Sequence, residues 1–118
     1  MKYLALVYLP ESEIQKMSQK EWDDLNAECI VYGDTITKSG HRLGGEALEP
    51  TSTATTVRVR NGKVTTTDGP FAETKEQLAG FYFLEAKDLN EAIQVSSRIP
   101  PARLGSVEVR PVRQLIRK

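Results

Sequence analysis

The stretch DGPFAETKEQLAGFYFLEA, residues 68–86, joins a forced turn to the most hydrophobic segment of the chain. Asp-Gly between two strands favours a tight turn, because glycine adopts positive φ without steric cost. Pro70 has no N–H to donate to the backbone hydrogen bonds of a hairpin, and it disfavours the helical conformation at Gly69. The chain is therefore expected to bend at Asp68 and to begin a new strand at Leu78.

Asp68 has two interpretations. Its carboxylate lies at the lip of a pocket, or it caps the turn by accepting hydrogen bonds from backbone N–H groups two or three residues later. The second is ordinary chemistry for an aspartate before Gly-Pro. Both remain open from the sequence alone.

Two segments are apolar on both alternating sets of side chains, residues 2–9 and residues 78–86. A strand with two apolar faces is typical of the centre of a sheet, where it is covered on both sides. We therefore predict that these two segments are the central strands of one sheet.

Two helices are predicted between the strands. Residues 10–17, before the first of them, are predicted to be a polar connection. Ser18 and Glu21 form a capping-box pattern for a helix that runs to about Ser39. Asp88 caps a shorter helix that ends near Ile99. The inward positions are predicted to be Trp22, Leu25, Cys29, Tyr32 and Ile36 on the first helix, and Leu89, Ala92, Ile93 and Ser96 on the second.

Three further β segments complete the pattern. Residues 41–48 form a strand with a glycine pair that predicts a bulge or a close backbone approach. Residues 53–67 form a hairpin around Asn61-Gly62, a two-residue turn signal that pairs Val59 with Val64. Residues 105–112 form a last strand, which Pro111 marks as an edge.

The order of elements predicts an α+β fold. With the hairpin treated as an insertion, the order β-α-β-β-α-β is that of a ferredoxin-like antiparallel sheet. The 118 residues fit one domain, residues 1–118. Two helices cover only one face of such a sheet, so the other apolar face predicts a homodimer whose sheets pack face to face.

Composition excludes several function classes. Sixteen basic residues balance sixteen acidic ones, so no overall basic field points to direct nucleic-acid or membrane binding. Cys29 is the only cysteine, which rules out an intramolecular disulfide and fits the cytoplasm; we expect it to be a buried, unreactive thiol. His41 is the only histidine and is expected to be exposed, so neither a metal site nor a cofactor is predicted.

The quoted stretch, together with LGGEAL and TSTATTVRVRNG before it and SVEVRPV after it, closely resembles the DGPF-type branch of the YCII-related family. The resemblance covers nearly the whole chain. It implies a bacterial dimeric α+β barrel built on a ferredoxin-like fold. It also implies two possible roles: an enzyme, since many relatives carry a His on the first helix and an Asp elsewhere, or a regulator, since some relatives are joined to extracytoplasmic-function sigma-factor domains.

The chain departs from the enzymatic pattern. Residues 21–39 contain no histidine, and Ile99-Pro100 stands where relatives often have Asp before proline. The family's His–Asp pair is therefore missing, which weakens the enzymatic role.

Two functional hypotheses remain. In the first, a small metabolite binds or reacts beside the DGPF turn, with Asp68 and Glu46 as acid/base candidates. The matching motif supplies the ligand-binding candidates Phe71, Glu73, Lys75 and Glu76, of which Lys75 could neutralise an anion; a solvated charged loop is the alternative. In the second, the exposed hairpin docks a regulatory partner such as a sigma factor.

Overall fold

The protein is described by a computed structural model over residues 1–117. Within that range it has one four-stranded antiparallel sheet, one separate two-stranded sheet and three α-helices. The strands are β1 (Lys2–Leu9), β2 (Arg42–Ala47), β3 (Thr55–Arg60), β4 (Lys63–Asp68), β5 (Gln77–Glu85) and β6 (Ser106–Pro111). The helices are α1 (Glu11–Ile14), α2 (Gln19–Lys38) and α3 (Leu89–Ser96).

The four-stranded sheet has the order β2-β5-β1-β6. This is the ferredoxin-like arrangement, so the predicted fold class is confirmed. The two strands that are apolar on both faces, β1 and β5, lie at its centre. Their register pairs Tyr3 with Leu84, Ala5 with Tyr82 and Leu6 with Phe81.

The predicted polar connection before the long helix is wrong in part. Its first residues form the single turn α1, because the Pro10 carbonyl accepts hydrogen bonds from the N–H groups of Glu13 and Ile14. Ile14 packs against the core. The capping box of α2 is confirmed, since Ser18 Oγ accepts from the Glu21 N–H at 3.1 Å while the Glu21 carboxylate accepts from the Ser18 N–H at 3.0 Å.

The core lies between the sheet and the helices α2 and α3. One alternating set of β1 side chains is buried there, together with the buried faces of both helices. The hydrophobic residues of this core are Tyr3, Ala5, Val7, Leu9, Tyr32, Ile36, Leu84, Ala86, Ala92, Val95 and Ile99. The opposite set of β1, with its β5 neighbours, is only half-buried.

The predicted inward face of α3 is partly wrong. Asp88 caps the helix as expected, accepting from the Glu91 N–H at 2.9 Å. However, Leu89 and Ile93 are 50% and 49% exposed. The buried side chains are Ala92, Val95 and Ser96, whose three- and four-residue spacing sets the face that meets the sheet.

The hairpin has the predicted register. Val59 pairs with Val64 and Val57 with Thr66, and both turn residues have positive φ. These three valines are 57% to 67% exposed, so the hairpin is an exposed arm.

The Cα radius of gyration is 16.3 Å, whereas a compact domain of this length has about 13.5 Å, which agrees with an extended outline.

Ser96 is the one buried side chain among residues 1–117 whose polar atom has no hydrogen-bond partner. An unsatisfied buried hydroxyl costs about 1–3 kcal/mol. We therefore predict that Ser96→Ala raises the melting temperature by several degrees in thermal unfolding. The matched control is Ser97→Ala on the exposed side of the helix end, which should change it little. A fall in the melting temperature of Ser96→Ala would show that the hydroxyl has a bonding partner in solution.

Candidate functional site

A cavity of about 270 Å³ lies between α2 and the β2 edge of the sheet. Most of its wall is apolar, with the indole of Trp22 at one side. The other residues that contribute to the wall are Val7, Leu9, Leu25, Asn26, Cys29, Arg42, Gly45, Glu46, Ala47, Leu48, Ala79, Gly80, Phe81, Tyr82, Ile99 and Pro101. A mostly apolar concave site with a few polar groups is the usual form of a small-molecule site.

Among residues 1–117, Arg42 is the only cation in that wall. Its side chain is half-buried, and it points to the helix side of the sheet because its β5 neighbour is the core residue Leu84. The guanidinium lies 5.7 Å from the centroid of the Tyr82 ring and donates one hydrogen bond, at 3.2 Å, to the Gly45 carbonyl. None of the ion pairs formed within residues 1–117 includes Arg42.

The position of Arg42 depends on two glycines. Gly33 is buried in the middle of α2, where a Cβ atom would lie 3.0 Å from Arg42 Nη1. Gly45 has φ +153°, and a Cβ atom there would lie 2.6 Å from the Phe81 carbonyl oxygen. The predicted close backbone approach at the glycine pair is thus present, and the register of β2 also shifts between Arg42 and Gly44.

The tyrosine beneath the arginine, Tyr82, packs against a second tyrosine that is not part of the wall. Tyr32 and Tyr82 pack edge to face with ring centroids 5.5 Å apart, and the Tyr32 hydroxyl donates to the Val95 carbonyl at 2.7 Å. Burial is the main cause that raises the pKa of both phenols. The Tyr82 phenol raises the pKa of Tyr32 further, and the Cys29 thiol raises the pKa of Tyr82, whereas the Arg42 charge lowers the pKa of Tyr82. Both rings are therefore neutral at physiological pH.

Cys29 is half-buried in the same wall. Burial is the main cause that raises the pKa of its thiol; the Glu28 carboxylate raises it further and Arg103 lowers it. A protonated thiol is a poor nucleophile, in line with the expectation of an unreactive cysteine.

Glu46 borders the cavity, but its side chain lies on the other side of the sheet. It is paired with Phe81, which is paired in turn with Leu6, and directly paired residues of antiparallel strands share a face. Gly45 and Tyr82 form the neighbouring pair on the cavity side.

Asp68 ends β4 opposite Thr55 and is exposed. Within residues 1–117 its carboxylate accepts no hydrogen bond, so the turn-cap interaction is not formed. The bend is held by other groups: the Gly69 N–H donates to the Ala54 carbonyl at 2.7 Å, and Thr56 Oγ1 donates to the Gly69 carbonyl at 2.8 Å. Asp68 is not part of the wall of the cavity, and the structure does not bring it together with Glu46 there.

The loop after the turn is mostly exposed. Phe71 is 80% exposed, Glu73 and Lys75 are exposed, and Glu76 is half-buried. Of these, Lys75 borders a shallow polar groove that Glu11 also lines. Across the groove, the Glu11 N–H donates to Gln77 Oε1 at 2.8 Å, and the Glu11 carboxylate accepts from the Thr51 N–H at 3.2 Å.

The expectation of an exposed His41 is wrong. The ring is half-buried, with Nε2 3.3 Å from a Glu91 carboxylate oxygen and Nδ1 2.7 Å from Ser39 Oγ. The end of α2 and the start of α3 lie close together there, and the periodicity of the sequence does not indicate this contact. Over residues 1–117 no three His, Cys, Asp or Glu side chains are grouped so as to hold a metal ion.

Sequence reasoning missed Arg42 and Gly33. The available signal was a glycine in the interior of a long helix, which costs about 1 kcal/mol relative to alanine and therefore indicates a packing reason. Which side chain occupies the space above it depends on the tertiary structure.

The raised pKa of Cys29 has a measurable consequence. Iodoacetamide reacts with the thiolate, so we predict that the pH midpoint of alkylation is higher in the native protein than in the same protein in urea. The rate is followed by mass spectrometry across a pH series. A native midpoint at or below the unfolded one would contradict the assignment of a neutral, desolvated thiol.

The comparisons with known proteins agree with this fold. The family model for the YCII-related domain matches residues 1–116. An uncharacterised protein of Rhizobium meliloti (strain 1021) is 37% identical over 115 residues, which cover 95% of this chain and 92% of that protein. In the part of the chain that the structure describes, no helix is long and apolar enough to cross a membrane. The chain belongs to the YCII-related domain family.

Proposed function

We propose that the protein binds a small metabolite in the cavity between α2 and the sheet edge. The observation that carries this proposal is a mostly apolar cavity of about 270 Å³ whose wall contains the Arg42 guanidinium, which pairs with no carboxylate of residues 1–117. The site differs from the position beside the DGPF turn that the motif suggested, because neither Asp68 nor Phe71 contributes to the wall. A cytoplasmic setting belongs to the same proposal, since Cys29 is the only cysteine.

The chemistry of the wall supports binding more than transformation. Cys29 is held protonated by burial, and the Glu46 side chain lies on the opposite side of the sheet. A nucleophile needs a base within hydrogen-bond reach, and the described wall offers no such pair. Asp68 and Glu46 as an acid/base pair therefore have less support than a binding role for Arg42.

A second candidate function is that of a regulatory interaction module, for which a sigma factor is the partner suggested by the resemblance. The exposed valine face of the β3–β4 hairpin favours this role, since Val57, Val59 and Val64 are each more than half exposed. Apolar side chains grouped on an exposed arm are typical of a protein-binding surface. The two functions use separate parts of the molecule.

We also infer a homodimer formed through the open face of the sheet. Leu4, Leu6, Tyr8, Phe81 and Phe83 share that face and are half-buried, whereas the helices lie on the other face. A second copy packed on this face would remove these side chains from water. A two-fold axis brings the same patch of both copies together, so that apolar side chains meet apolar side chains.

A thermal-shift screen of small metabolites tests the proposed site. Ligand at one hundred times its Kd stabilises the folded state by about 2.7 kcal/mol, so a hit raises the melting temperature by several degrees. Cys29→Leu places extra carbon atoms in the cavity and should abolish the shift, while Asp68→Asn should leave it unchanged. The opposite pattern would place the ligand beside the DGPF turn and contradict the proposal.

Sedimentation equilibrium tests the dimer. We expect a dimer at micromolar protein concentration, and a monomer for Leu6→Glu, which puts a charge on the apolar face. Val59→Glu on the hairpin is the matched control and should remain dimeric. A monomeric native protein, or a dimer lost only in the hairpin variant, would contradict association through the sheet.

A further inference from the structure

We propose that the ligand of the cavity is a monocarboxylate with an apolar, ring-sized body, and that Arg42 binds its carboxylate. This inference rests on the proposed function and adds the chemical class of the ligand. Three features of the site favour this ligand class: the charge of Arg42, the space that Gly33 leaves for it, and the apolar character of the remaining wall.

The guanidinium of Arg42 is incompletely satisfied. Of its five N–H donors, one bonds to the Gly45 carbonyl, and the Tyr82 ring lies to one side. No carboxylate of residues 1–117 pairs with it. Removing an unpaired cation even partly from water is costly, so an anion that forms charge-assisted hydrogen bonds with it offsets part of that cost.

Gly33 leaves room for this arrangement. The guanidinium approaches α2 where the helix has no side chain, and a Cβ at position 33 would be 3.0 Å from Nη1. Alanine in place of this glycine would favour the helix by about 1 kcal/mol. The helix thus carries its least favourable non-proline residue at the point where Arg42 packs, which supports a role for the position of the guanidinium.

The single charge selects the class of anion. A planar guanidinium matches a carboxylate with two parallel hydrogen bonds and one neutralised charge. A phosphate monoester carries nearly two charges at neutral pH, and the described wall provides no second cation for it. The wall therefore favours a carboxylate over a phosphate.

The remaining wall selects the body of the ligand. Trp22, Leu25, Ile99 and Tyr82 offer aromatic and aliphatic surface. A cavity of roughly 150 Å³ holds benzene, so about 270 Å³ accommodates one ring with a short carboxylate arm.

The test uses phenylacetate and its neutral analogue phenylacetamide as probes, with binding measured by isothermal titration calorimetry at pH 7 and by protection of Cys29 from alkylation. We expect the native protein to bind phenylacetate at least tenfold more tightly than phenylacetamide. Arg42→Gln should abolish this difference, and Arg58→Gln on the hairpin should retain it.

Gly33→Ala separates binding from folding. Its melting temperature should be equal to or higher than that of the native protein, because alanine favours the helix. Phenylacetate binding should weaken, because the new Cβ moves the guanidinium by a few tenths of an ångström. Unchanged phenylacetate binding in this variant would overturn the role given to the position of Arg42.

The remaining outcomes are distinct. Equal binding of both probes, unaffected by Arg42→Gln, would overturn the carboxylate inference and leave the proposed cavity intact. Tighter binding of phenyl phosphate than of phenylacetate would overturn the choice of a single charge. If neither probe binds or protects Cys29 at millimolar concentration, the carboxylate inference is wrong. The metabolite screen then decides the proposed function, which is also wrong if no compound raises the melting temperature.

Discussion

The antiparallel register between β1 and β5 is the constraint on which the rest of the structure depends. It places Tyr3 beside Leu84 on the helix side and Leu6 beside Phe81 on the other side. Since side chains alternate along a strand, a slip of one residue would exchange the two faces completely. The helices α2 and α3 pack on the face that carries Tyr3 and Leu84, and the side chains of the opposite face, including Leu6 and Phe81, are half-buried.

The cavity follows from the same register at the sheet edge. β2 pairs with β5 so that Arg42 falls beside Leu84, on the helix side, where an arginine is otherwise out of place. The register shift after Arg42 and the close backbone approach at Gly45 bring its guanidinium over the Tyr82 ring. Gly33 on the facing helix then leaves the space that the charged group needs. Three elements distant in sequence thus place the Arg42 guanidinium in a mostly apolar wall.

The DGPF motif has a different place in the molecule from the cavity. Gly69, at positive φ, is bonded through its N–H to Ala54 and through its carbonyl to Thr56, so the turn joins the base of the hairpin to the start of β5. Asp68 and Phe71 project from this junction into solvent. The motif therefore has an architectural role in the chain, because it fixes the bend between the hairpin and β5.

The sequence by itself determined the α+β fold, the two central strands, the capping of α2 by Ser18 and the register of the hairpin. These features depend on local chemistry or on a period of two or 3.6 residues, both of which are visible in one chain. Only the tertiary structure decided that Leu89 and Ile93 of α3 face solvent and that Arg42 meets Gly33. The physical reason is that the facing surface, the sheet edge and the helix spacing are set by contacts between distant segments, and no local pattern encodes which side chain fills the space above a glycine.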